Sequence, residues 1–228
     1  MLCIYCQERE ATTRDHVPPK GLFPSPKPNN LITVPCCDPC NAGFKNDDEY
    51  FLILSMEWSA GETMDGSHIL AGRIRDMGRK DRRKLWKRVA SRAEVVDVFT
   101  PGGLYAGRTM KIMPEKDRLL AVVERTIRGL YYDQTGEVLP VTAVVKAGVY
   151  ETYAKTYGTD PTTRKIIDGL KTLEPTIIGR DTFQFRYTLI PDKHCSLWYL
   201  EFYKRHGFVG STADAEELEM YQAGQKGV

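Results

Sequence analysis

The chain has 228 residues, with 32 lysines and arginines against 30 aspartates and glutamates, for a formal net charge of +2. Hydrophobic residues make up 42 % and charged residues 27 %, which is ordinary for a globular protein with a real core and excludes collagen-like, coiled-coil and disordered classes. No apolar run approaches the roughly 20 residues that span a bilayer, and the N-terminus MLCIYCQERE lacks a basic-then-apolar signal, so no membrane association and a cytoplasmic location are expected.

The first feature along the chain is a cysteine framework. Five of the six cysteines (Cys3, Cys6, Cys36, Cys37, Cys40) fall within the first 40 residues, and only Cys195 lies beyond. Cys3-Ile4-Tyr5-Cys6 and Cys37-Asp38-Pro39-Cys40 are two C-x2-C knuckles separated by 30 residues. Each knuckle directs two thiolates at one ion, and two knuckles complete a tetrahedral four-cysteine zinc site. A chain of this size without a secretory signal rarely needs disulfides. Cys37 matches the spacing of the first knuckle, although Cys36 also falls within the usual ligand range. Cys195 beside His194 reads as structural.

A closed site of four thiolates does no chemistry, because it leaves no open coordination position. Its role would be to hold the segment between the knuckles. That segment reads Thr13-Arg14-Asp15-His16-Val17-Pro18-Pro19, then Asn29-Asn30-Leu31, then the second knuckle followed by Asn41 and, one turn on, Lys45. The order C-x2-C, D-H-V-x-P, N-L, C-x2-C-N, K resembles the HNH endonucleases over about residues 1–55. The resemblance implies a ββα-metal module stapled by structural Zn²⁺, in an H-N-N version with Asp15, His16, Asn30 and Asn41 as the catalytic set.

Phosphodiester hydrolysis gives those residue types a reason. His16 titrates near working pH and can take a proton from water. Asp15 and the amide oxygen of Asn41 are hard ligands suited to Mg²⁺ or Mn²⁺, and such an ion binds both a phosphate oxygen and the leaving oxygen. Asn30 would orient His16 across the hairpin, and Lys45 would meet a phosphate. The competing readings are a turn-capping Asp15-His16 pair, a turn role for Asn30, and solvent-facing Asn41 and Lys45.

Helical periodicity begins at about Asp38 and runs into Leu54 or Trp58, with Tyr50, Phe51, Ile53, Leu54 and Trp58 as its apolar stripe. Asp47, Asp48 and Glu49 on this helix read as a solvated face. After a break at Ser59-Ala60-Gly61-Glu62, a second helical stretch from about His68 to Ser91 carries most of ten basic residues lying between Arg73 and Arg92, against only Asp76 and Asp81. That segment is a candidate footprint for a phosphate backbone, with Arg82, Arg83, Lys87 and Arg88 at its centre. A solvated, salt-bridged helix face is the alternative.

Strands are predicted at Glu94–Thr100 and Thr109–Met113 around a Pro101-Gly102-Gly103 turn, a helix over Asp117–Tyr132, and an extended run within Gly136–Gly148. Helix in two parts follows from Gly148 to Leu173, broken at Thr159-Asp160-Pro161. Phe183–Pro191 and Cys195–Tyr203 alternate as a hairpin whose aromatics read as core, and Ala213–Val228 begins helical and ends loose. Within the helix, Arg125-Thr126-Ile127-Arg128-Gly129-Leu130-Tyr131-Tyr132 stands out as a candidate functional surface without an identifiable ligand.

The expected architecture is α+β: a zinc-stapled HNH module over 1–58, a basic helical connector over 59–92, and a mixed α+β domain over 93–228. The expected function is metal-dependent cleavage of DNA, with RNA open as substrate, in a setting such as restriction, phage defence or phage DNA processing. A non-catalytic zinc-stapled nucleic-acid-binding protein is the alternative. So is a nuclease subunit activated by a defence- or toxin-complex partner, and a homodimer is a further possibility.

Overall fold

Three kinds of packing build the chain: a hairpin clasped against a helix, an exposed hairpin, and a five-stranded sheet covered by helices. The computed structural model describes residues 1–59, 83–150, 161–190 and 193–216. Strands β1 (Thr13–Val17) and β2 (Ile32–Cys36) pair antiparallel, with Thr13 opposite Cys36 and His16 opposite Thr33. Along β1 the pleat sends Asp15 and Val17 inward and leaves Arg14 exposed. Helix α1 (Asp38–Ser59) starts within the second knuckle, as the sequence predicts. Its middle turns, Tyr50 to Ser55, are buried on every side, so this stretch is a core helix rather than a surface one.

Of the basic connector, residues 60–82 lie outside the described residues, and with them Arg82. Arg83–Ala90 forms helix α2, with Arg83, Lys87 and Arg88 exposed and Val89 buried. Strands β3 (Ala93–Phe99) and β4 (Tyr105–Ile112) form the second hairpin, close to the predicted bounds. Helix α3 (Lys116–Thr135) follows, ended by Gly136 in a left-handed conformation whose N–H reaches the Tyr132 carbonyl.

Strand β5 (Val144–Val149), helix α4 (Pro161–Thr172) and strands β6 (Thr176–Ile178), β7 (Phe183–Leu189), β8 (Ser196–Phe202) and β9 (His206–Ala213) complete the chain. The last five strands form one antiparallel sheet in the order β5-β9-β8-β7-β6. Only part of the predicted extended run within Gly136–Gly148 is strand. The Arg128 guanidinium donates to the carbonyls of Leu139, Pro140 and Ala143, which holds that stretch as a loop before β5 begins.

One hydrophobic core joins β1, α1, α3 and the sheet, centred on Phe51, Phe183, Phe185, Trp198, Phe202 and Phe208. Phe51 of α1 meets Phe202 edge-on at 5.1 Å, so the first helix packs directly on the C-terminal sheet. The close approach of α3 depends on two glycines. A Cβ at Gly129 would lie 2.6 Å from Val17 of β1, and one at Gly210 of β9 would lie 2.2 Å from Ile127. The architecture is therefore mixed α and β. Among the described residues, no helix is long and apolar enough to cross a membrane.

Candidate metal centre and the charged cluster beside it

The first knuckle is shaped by backbone hydrogen bonds: Cys3 N–H to Arg9 O at 2.9 Å and Gln7 N–H to Cys3 O at 2.9 Å, with Gln7 at positive φ. Ile4 N–H reaches Pro35 O at 3.2 Å, which lays this loop along the end of β2. The second knuckle is the start of α1. The Sγ atoms of Cys3, Cys6, Cys37 and Cys40 all lie within 4.8 Å of one another, and Cys6 and Cys37 are 3.9 Å apart. A tetrahedral zinc with bonds of about 2.3 Å needs sulfurs about 3.8 Å apart. This donor set fits a metal ion such as zinc.

Cys36 stays outside the cluster. Its buried thiol donates to the Cys37 carbonyl at 3.4 Å, and burial pushes its pKa up, which keeps it neutral. Cys37 has the opposite environment: Arg9 donates Nε–H to its Sγ at 3.4 Å, pulling the thiol down to about 6. The second donor of Arg9, Nη2, reaches Cys40 at 3.7 Å. One guanidinium thus offsets part of the charge that four thiolates bring to one point. All six cysteines are free of disulfides.

A second cluster lies beside the metal centre. Asp15 is buried, and its Oδ2 accepts the Tyr5 hydroxyl at 2.8 Å and pairs with Arg125 Nε at 3.4 Å. Nη2 of Arg125 donates to Asp48 Oδ1 at 2.6 Å. The same guanidinium lies 4.3 Å over the Phe44 ring, which itself meets Tyr5 edge-on. Burial pushes the Asp48 carboxyl up to about 6, against the pull of Arg125. The cluster joins β1, α1 and α3 through two carboxylates on one arginine. Next to it, Arg118 donates to Asp47 Oδ1 at 2.6 Å. Asp47 and Asp48, which the sequence places on a solvated face, are in fact the seam between α1 and α3.

The predicted site residues fall as follows. His16 follows Asp15 on β1 and therefore points to the other side of the strand, where it is half-buried. Burial first, then Lys20, holds its pKa below the usual range, so the imidazole is neutral and able to accept a proton. Asn41 sits in the first turn of α1, with its amide donating to Thr13 Oγ1 at 3.2 Å. Thr13 and Asp15 share one face of β1, but Asn41 meets the first and Arg125 the second. Oδ2 of Asp15 is engaged by Tyr5 and Arg125, so the Arg125 cation competes with any divalent ion for this carboxylate.

Asn30 corrects an expectation. Its amide donates to Ile177 O at 2.9 Å and its Oδ1 accepts from Gly179 N–H at 3.4 Å, which braces the β6 edge of the sheet rather than His16. The register places Thr33 opposite His16 and Asn30 before β2 begins. Lys45 is exposed on α1. On α2, Arg88 grips the Glu115 carboxylate with two N–H groups, Nε at 2.6 Å, so this basic residue serves the start of α3.

The sequence singles out the segment holding Arg125 without assigning it a contact, leaves Tyr5 unassigned and reads Asp48 as solvated. Their partners lie far along the chain, and no local pattern reports them. No protein-family model, curated protein or solved structure matches this chain, so the functional argument rests on the residues themselves.

Proposed function

We propose that the chain is a zinc-stapled endonuclease of the HNH type acting on DNA. The observation that supports it is the unit formed by β1, β2 and α1: a hairpin carrying Asp15-His16 runs into a helix carrying Asn41 in its first turn, and the four cysteines close the ends of that unit on one point. In this reading Cys3, Cys6, Cys37 and Cys40 hold one structural Zn²⁺. His16 accepts a proton from the attacking water, and its neutral state suits that task. Burial depresses His16 most, and Lys20 and Lys27 add a positive potential that also favours a phosphate nearby. A divalent ion, Mg²⁺ or Mn²⁺, supplies Lewis-acid stabilisation of the phosphate when bound. Asp15 and Asn41 are its candidate ligands, with the ion displacing Arg125 as the partner of Asp15.

The test is cleavage of supercoiled plasmid with Mg²⁺ or Mn²⁺ by the wild type and by His16→Ala. Loss of a general base costs about 10²- to 10⁴-fold, so the variant should be nearly silent. Equal cleavage by both proteins would sink the proposal, as would none by the wild type. A second reading, a non-catalytic zinc-stapled nucleic-acid-binding protein, is favoured by the Arg125 pair that closes off Asp15. It requires DNA binding that survives His16→Ala without cleavage by either protein.

A further inference from the structure

A cavity of about 430 Å³ opens where the cysteine-held unit meets α3 and β5. Its lining includes Tyr5, Phe44, Glu124, Arg125, Arg128 and Lys146. Arg125 is balanced by Asp15 and Asp48. Arg128 is not: it has no carboxylate partner among the described residues. A guanidinium carries five N–H donors, and three of Arg128's go to the carbonyls of Leu139, Pro140 and Ala143. Its Nε–H and one Nη2 hydrogen have no acceptor among the described residues, charged donors of the kind a phosphate oxygen accepts from. Burial pulls its pKa below the usual arginine range with only a small opposing influence from Tyr5, as expected of a desolvated cation without a counter-charge.

Lys146, on the edge strand β5, touches both this recess and the α4 face of the sheet; it is exposed and makes no ion pair among the described residues. Glu124 is the one carboxylate in that lining outside the Arg125 cluster. Its Oε1 accepts from the Ala147 N–H at 3.2 Å; burial raises its pKa against the pull of Ala147 and Lys146, and it makes no ion pair with either Arg128 or Lys146. Two cations lacking carboxylate partners, one of them half-buried, thus flank a recess of ligand size.

We infer that this cavity binds the phosphate of a small, mononucleotide-sized ligand, with Arg128 as the fork on its wall and Lys146 as the charge at its rim. A recess of about 430 Å³ is of the size that takes one small ligand. The site needs neither His16 nor a divalent ion, so it stands or falls separately from the nuclease reading. A ligand there touches both Tyr5, which hydrogen-bonds Asp15, and α3, which carries Arg125.

Isothermal titration of the full chain with pyrophosphate, adenosine 5′-monophosphate and adenosine tests it. Pyrophosphate and the monophosphate should bind saturably and adenosine should not. Lys146→Glu, at an exposed position, should weaken both by about tenfold or more, the scale of a lost charge-assisted contact. Arg128→Lys keeps the charge but loses the fork and should weaken them as well. Because Arg128 also holds the 139–143 loop, Lys146→Glu carries the test if that variant does not fold. Glu124→Gln removes the neighbouring negative charge while keeping the oxygen that accepts from Ala147, and should tighten binding, a gain that damage to the fold does not produce. No saturable binding by the wild type overturns the proposal. So does adenosine binding as tightly as its monophosphate, or unchanged affinity in folded Lys146→Glu.

Discussion

The β1–β2 and β3–β4 hairpins are both two-stranded antiparallel ladders, yet one is enclosed and the other stands in solvent. In β1–β2, the shorter of the two, Asp15, Val17, Val34 and Cys36 are buried, with α1 and α3 closing over the ladder and the cysteine cluster at its end. In β3–β4, Val95 and Met110 face each other across the ladder and are 67 % and 66 % exposed. This hairpin is supported by cross-strand ion pairs, Arg108 with Asp97 and Lys111 with Glu94, and by the edge-on rings of Phe99 and Tyr105. Its base is tied where Arg92 and Met113 exchange backbone and side-chain hydrogen bonds. Two-stranded ladders are marginal by themselves. Strand length and β-propensity do not separate these two, whereas what packs on them does.

The contrast can be broken most forcefully at the cysteines. Metal analysis should find one zinc per chain, lost in Cys3→Ser/Cys6→Ser or on treatment with a strong chelator. Structural zinc contributes on the order of 10 kcal/mol to such units, so amide hydrogen exchange should show protection lost across β1–β2. Exchange in β3–β4, which touches none of the ligands, should change least. Zinc retained in the double variant would mean a different ligand set.

A smaller effect is expected at Arg125. Arg125→Met leaves Asp15 and Asp48 facing each other without their shared cation, and breaking a buried pair in this way costs about 3–5 kcal/mol. Urea unfolding would measure it, and a loss below about 1 kcal/mol would show that the cluster is not what closes α3 on the hairpin. The smallest effect belongs to the exposed hairpin. Arg108→Ala removes a surface pair and should cost less than about 1 kcal/mol, shrinking further with added salt. A larger loss in the same urea titration would show that β3–β4 is held by more than its own ladder.

Local chemistry made several elements legible in advance. Apolar periodicity outlines α1 and α3, and alternation outlines β7 and β8, because each element's burial repeats along its own residues. One inner strand of the sheet, β9, is not legible in this way. β9 reads His-Gly-Phe-Val-Gly-Ser-Thr-Ala, and glycines at 207 and 210 weaken any strand signal. Gly210 nevertheless belongs there, because Ile127 occupies the space a side chain would need. The extended run before β5 misled for a related reason: Arg128, on a helix earlier in the chain, takes its carbonyls.

The candidate site divides in the same way. Spacing alone grouped Cys3 with Cys6 and Cys37 with Cys40, since two ligands of one ion separated by a short turn are a local constraint. The fold agrees with the spacing in setting Cys36 apart: it turns Cys37 to Arg9 and Cys36 to a backbone carbonyl. The pairing of Asp15 with Arg125 lies across 110 positions, and the placing of Asn30 on Ile177 across 147. Sequence determined which residues can ligate, titrate or carry charge. Tertiary structure decided which of them meet, because a buried charge is settled by whatever partner the packing brings to it.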